Sequence, residues 1–165
     1  MTGRSSRTRL RAFQRIHHGV PDAGFIADLE YLQNRDLDLS VRLGALLAFD
    51  ALMITIGTHP VSASPGAPLS LDAASQPAAT IASLAGLLPF LLAAGLALRA
   101  VLLGEEFDVD GREPDDVLRQ RLLAAFLHSI ETQSRLLRRA VQATLAGGVA
   151  TGVVWAWILA AKIGA

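Results

Sequence analysis

One residue type is out of place in this chain. Asp50 lies inside the apolar run Leu43–Thr58, with no other formal charge between Leu43 and His59. A carboxylate in lipid is costly, and such groups face a bundle interior or water. Two readings stay open for Asp50. It is a pore-lining, proton-accepting or partner-pairing group, or it is a locally hydrogen-bonded acid at a protein interface. The second set of candidates is arginines. Arg35, Arg119, Arg121 and Arg135 flank the apolar runs and could hold a phosphate. Arg42, Arg138 and Arg139 fall at headgroup depth, where a guanidinium meets lipid phosphate.

Other chemistry is thinly supported. The chain has no cysteine, which excludes disulfides, zinc–thiolate sites and thiol nucleophiles. His17 and His18 are adjacent, so on a helix they point about 100° apart and make a poor metal pair. Glu105, Glu106, Asp108 and Asp110 form an acidic turn before Gly111. The glycine and the terminal bidentate glutamate of a calcium-binding loop are misplaced there, so a solvated loop that pairs with arginines is expected. His128 and Glu131 are three apart and could form a polar pair, but no third partner or nucleophile accompanies them. No catalytic residue, metal or cofactor is therefore expected, and the chain reads as a non-enzyme.

The elements that position these residues follow from hydropathy. The 165 residues carry 15 basic and 15 acidic groups and are 52% apolar, and the charges sit in blocks between long uncharged runs. That pattern indicates an all-α membrane protein with three transmembrane helices, at about 43–58, 80–103 and 140–161. Residues 1–21 form a basic N-terminal segment with Arg4, Arg7, Arg9, Arg11 and Arg15, readable as a topology-setting tail or as an arm for lipid or nucleic acid. Residues 22–162 form a single helical membrane domain. Asp22 is a candidate N-cap for a helix over Ala23–Asn34, with Phe25, Ile26, Leu29 and Leu32 on one apolar face. In the first span Gly44, Ala48, Ala51, Thr55 and Thr58 make a small-residue stripe. Pro89 predicts a kink in the second span near Ala85. Residues 59–79 form a loop rich in turn signals.

The last segment, Pro114 to Ala161, reads as one helix of roughly 70 Å. Pro114 suits its first position, and Asp115 and Asp116 its positive end. Its first part, 114–139, is a cytoplasmic stalk continuous with the last span. Leu118, Leu122, Ala125, Phe126, Ser129, Gln133, Leu136 and Ala140 recur on it like a coiled-coil seam, with a polar break at Ser129 and Gln133. In the span itself Thr144, Gly148, Gly152, Ala156 and Ala160 are spaced by four. This small-residue ridge, which contains a GxxxG, suits close helix packing. Trp155 and Trp157 suit the far interface.

Basic residues cluster before Arg42 and between Arg99 and Arg139, whereas the 59–79 loop has none and the C-terminus has only Lys162. The positive-inside rule then puts the N-terminus in the cytoplasm and the C-terminus outside. The expected location is a bacterial inner membrane. Lipid is the certain neighbour, and a homo-oligomer or membrane-complex subunit is expected, without nucleic acid.

The layout resembles the small bacterial membrane effectors of cyclic-nucleotide antiviral defence systems, the Pycsar type with CBASS relatives. The matching pieces are Ser40-Val-Arg42-Leu-Gly-Ala-Leu-Leu-Ala-Phe-Asp50 and Arg135-Leu-Leu-Arg-Arg-Ala140. Arg42, Ser40 and Asp50 depart from the lysine, acid and asparagine of that pattern. The resemblance implies an oligomer that senses a cyclic nucleotide and disrupts the membrane. The alternatives are a non-catalytic accessory or structural subunit of a larger inner-membrane complex, and a small channel with Asp50 as the ion-handling group.

Overall fold

The computed structural model describes residues 23–103 and 115–164. The basic arm with its histidines, the break at Pro21 and Asp22, the faces of Phe25 and Ile26, the acidic 104–113 turn and Pro114 lie outside the described residues and side chains. Apart from the 63–76 loop and short breaks, the described residues are helical: α1 (Ala23–Gly57), α2 (His59–Ser62), α3 (Pro77–Ala85), α4 (Leu88–Leu103) and α5 (Asp115–Ile163). Three stretches are long and apolar enough to cross a membrane: Leu29–Ser62, Pro77–Leu103 and Val117–Ile163. The protein is an all-α membrane protein, and its last span continues a long polar helix without a break at Arg138 and Arg139.

The expected short helix over Ala23–Asn34 and the first span are one element. α1 runs unbroken for 35 residues. The polar stretch between them, with Arg35, Asp36 and Asp38, looks like a boundary by hydropathy alone. It stays helical because its charges pair along the helix: Arg35 Nη1 reaches Asp38 Oδ2 at 3.3 Å and Arg42 Nε reaches Asp38 Oδ1 at 3.0 Å. Exposed pairs at this spacing each add only about 0.3–0.5 kcal/mol, but they remove the reason to unwind.

The described residues divide into two compact units, to both of which α1 and α5 contribute. The first comprises 23–43, 98–103 and 115–136. Leu29, Leu32, Leu39 and Leu43 are buried in it from α1, and Leu118, Leu122, Ile130 and Leu136 from α5. These are the three- and four-residue spacings of an amphipathic helix face. Each buried leucine stabilises by about 1.5–3 kcal/mol if the unit is in water.

The second unit comprises 44–97 and 137–164 and inverts this pattern. Most of its buried positions are small or polar, including Asp50, Thr80, Ser83, Ala93, Ala97, Ala140, Thr144 and Thr151, beside the larger Leu87, Phe90 and Ile158. Its exposed positions are large and apolar, including Leu52, Leu88, Leu92, Leu145, Val149 and Val153. In lipid no hydrophobic force draws helices together, so close approach of small residues and interhelical hydrogen bonds must do so.

Pro89 acts more strongly than a kink. Between α3 and α4 the helix is interrupted at Gly86 and Leu87, and Phe90 N bonds Leu87 O at 3.1 Å. A proline has no N–H and its ring crowds the carbonyl four residues earlier, so the ladder must open there. Opening it frees carbonyls in a medium that cannot solvate them. Thr151 answers one of them, its Oγ1 donating to Gly86 O at 3.4 Å. Beyond the break the fully buried Phe90 lies against Gly147, where an added Cβ would fall 2.9 Å from the ring.

Gly147 is therefore a close-approach glycine of this unit, as is Gly57, where an added Cβ would meet the Leu87 side chain. Gly147→Leu is expected to lower stability by roughly 1–3 kcal/mol. Phe90→Ala in the same chain should recover part of that loss, as read by thermal unfolding in detergent. Additive losses would contradict the contact.

Candidate functional site

The polar centre of the second unit forms where α1 and α5 meet. Asp50 is on the inward face of α1 and is 0% exposed. Thr144, on α5, donates from Oγ1 to Asp50 Oδ1 at 2.8 Å. The same hydroxyl is 3.1 Å from the carbonyl of Ala140. It has one hydrogen, so the carboxyl and the carbonyl compete for it, and the carboxyl is nearer. Asp50 Oδ2 is shielded and has no hydrogen-bond partner among the described residues. The charged form of such a group is expensive in this setting, which makes its one bond stringent: helix α1 must keep its register against Thr144.

This arrangement can hold helices together, and it can carry a proton. Chemistry on a substrate needs more. Among the described residues no group of three His, Asp or Glu could hold a metal ion. His128 is exposed on α5, and Glu131 is taken up by Arg135, whose Nη2 lies 3.4 Å from Oε2.

Three of the arginines singled out by sequence pair with acids of their own helices. Arg35 and Arg42 share Asp38, and Arg135 pairs within its own helix. Arg119 and Arg121 also make interactions. Arg138 and Arg139 are exposed. In the seam of α5, Leu118, Leu122, Gln133, Leu136 and Ala140 are buried, while Ala125, Phe126 and Ser129 are half-buried. Gln133 Oε1 is buried with no hydrogen-bond partner among the described residues.

The small-residue ridge splits. Thr144 faces inward, whereas Gly148, Gly152, Ala156 and Ala160 are exposed, and a Cβ added at Gly148 or Gly152 would meet nothing within 4 Å. The inward row of α5 is instead Ala140, Thr144, Gly147, Thr151 and Ile158. The stripe on α1 behaves likewise: Gly44, Ala48, Ala51 and Thr55 are exposed.

Sequence reasoning missed the role of Lys162, which it took only as a helix end. Its Nζ donates to Ser70 O at 2.6 Å and Ala67 O at 3.2 Å and lies 3.3 Å from Ser70 Oγ, tying the 63–76 loop to α5. The loop is otherwise built from local turns. Gly66 has φ +91° after Pro65, and Ala67 N bonds Ser64 O at 3.1 Å, the pairing of a Pro-Gly type II turn. Leu71 N returns to Pro60 O at 2.8 Å. Asp72 accepts from Ser75 Oγ at 2.8 Å and from Ala74 N at 3.1 Å. The Ser75 hydroxyl, then the Ala74 amide, hold the Asp72 carboxyl below the usual carboxylate range.

Two outcomes test these contacts. A double-mutant cycle of Asp50→Leu and Thr144→Val should give a coupling of roughly 0.6–1.7 kcal/mol, the range of hydrogen bonds between membrane helices. Zero coupling would mean the pair is incidental. Because the folded-state acidity of Asp72 is depressed, its bonds support the loop above the unfolded carboxylate pKa of about 3.9 and are lost as pH falls through the lower folded value. Amide exchange at Ala74 should accelerate on that acid side and be insensitive to pH there in Asp72→Asn, after correction for intrinsic exchange.

No protein-family model, curated protein or solved structure was found to match the chain. Its functional reading rests on its own residues.

Proposed function

We propose that this chain is a non-catalytic, multi-pass protein of a bacterial inner membrane that works as a homo-oligomer, joined through the outward ridge of its last span. The observation that carries this reading is the split of α5 into two small-residue faces. One face, with Thr144, Gly147 and Thr151, is used within the chain. The other, with Gly148 and Gly152, is spaced for close helix packing, and among the described residues a Cβ added at either glycine meets nothing within 4 Å. A parallel two-fold contact would set each of these glycines against its counterpart in a second copy. The arginine distribution supports a cytoplasmic N-terminus.

Asp50 in this reading is a packing group, because its carboxyl is enclosed and bonded to Thr144. A nucleotide-triggered, membrane-disrupting effector would be built on the same oligomer, with arginines as the sensor. The local ion pairs of Arg35, Arg42 and Arg135 favour a structural oligomer over a sensor.

The test is the mass of the detergent-extracted particle. The native chain should run as a homo-oligomer. Gly148→Leu with Gly152→Leu should shift it to monomer while helicity and melting stay unchanged, because both positions have space for a side chain. A native monomer, a fixed complex with other chains, or an oligomer unaffected by both substitutions would each overturn the proposal.

A further inference from the structure

The loop end of the second unit contains a cleft that the packing role does not use. It has a volume of about 440 Å³. That is within the roughly 300–1,000 Å³ of ordinary small-ligand pockets. One wall is the last turns of α5, with Trp157, Ile158 and Ala161; the other is the start of α3, with Ala78 and Ala79. Lys162, Ser75 and Gln76 supply its polar groups.

Charge singles this cleft out. In 44–97 and 140–164 the only Lys, Arg, Asp or Glu residues are Asp50, Asp72 and Lys162. Asp50 is enclosed and bonded to Thr144. Lys162 lines the cleft and is the only cation of these segments. Its ammonium is bonded to two carbonyls and a hydroxyl, all neutral. Those acceptors fix its position and leave its charge without a carboxylate partner among the described residues. Asp72, one residue from the lining Leu71, is exposed and turned to Ser75 and Ala74. Gln76 makes no side-chain capping bond at the start of α3. Trp157 is 50% exposed, which suits an indole at the headgroup level of a bilayer.

We infer that this cleft binds the headgroup of an anionic phospholipid. The phosphodiester lies toward Lys162, with Gln76 beside it. The glycerol and first acyl carbons lie along Trp157, Ile158 and Ala161. The apolar walls distinguish this site from a free-phosphate site, because inorganic phosphate would gain nothing from them. Exposed apolar residues of the same helices, such as Ile81 on α3 and Val153 on α5, offer the acyl chains surface to lie on.

The experiment is native mass spectrometry of the full chain in detergent, titrated with phosphatidylglycerol and phosphatidylcholine of the same acyl chains. Phosphatidylglycerol should bind more tightly, by about fivefold for one lysine at a membrane surface. Lys162→Gln should remove that preference, whereas Arg138→Gln with Arg139→Gln should leave the Lys162-dependent part. Because Lys162→Gln also releases the loop, Ala78→Phe gives a second reading. It fills the cleft from an exposed position, leaves the Lys162 bonds in place, and should displace bound lipid without lowering the melting temperature. No headgroup preference, a preference that survives both Lys162→Gln and Ala78→Phe, or displacement of lipid by millimolar inorganic phosphate would each overturn the inference.

Discussion

The structure of the membrane-spanning unit depends on one constraint: its helices have nothing to gain from hiding apolar surface. Leucine and valine face outward there, as Leu52, Leu92, Val149 and Val153 do, and lipid solvates them as well as protein would. Specific association has to come from contacts that lipid cannot offer. The unit has three kinds. Asp50 and Thr144 join α1 to α5 by a hydrogen bond. Gly147 lets the ring of Phe90 approach the backbone of α5. Thr151 serves a carbonyl opened by the proline break. Each of these involves an inward residue of α5, while the close approach of Gly57 on α1 to Leu87 does not.

The same helix also shows why a small-residue motif cannot be read as a contact until its face is known. The four-residue spacing Thr144, Gly148, Gly152, Ala156 drifts around the helix, because four residues turn it by about 400° rather than 360°. A row that starts inward at Thr144 is therefore turned outward by Gly152 and Ala156. The inward row uses mixed spacings of three and four, through Gly147 and Thr151, and so keeps its heading. The first unit follows ordinary rules. There leucines such as Leu29, Leu32, Leu118 and Leu122 are buried, and charged residues such as Arg35, Arg121 and Glu131 share the exposed surface with apolar ones such as Leu37, Val41 and Leu127.

Much of this architecture was legible in the sequence. The three long apolar runs, broken by charge only at Asp50, define three spans because a charge in lipid is costly, and the last helix is bounded by residues suited to its ends. Pro89 announced a disturbance in the second span. The merger of the first two helices was not legible, because hydropathy sees a polar stretch at 35–42, whereas the i,i+3 and i,i+4 ion pairs that keep it helical depend on side-chain direction. The partner of Asp50 was hidden for a different reason. Thr144 is 94 positions away, and no local pattern links them. Lys162 looked like a helix end because its acceptors are backbone carbonyls, which carry no sequence signature.

The central claim is that α5 uses one face within the chain and a neighbouring face, turned by about 100°, between copies. The chain has no native cysteine, so single cysteines can be placed one at a time from position 145 to 160 and oxidised in membranes. Disulfide-linked dimers should peak at 148, 152 and 156 and be absent at 147 and 151. Cross-links that peak at 147 and 151, or none along the helix, would contradict the account.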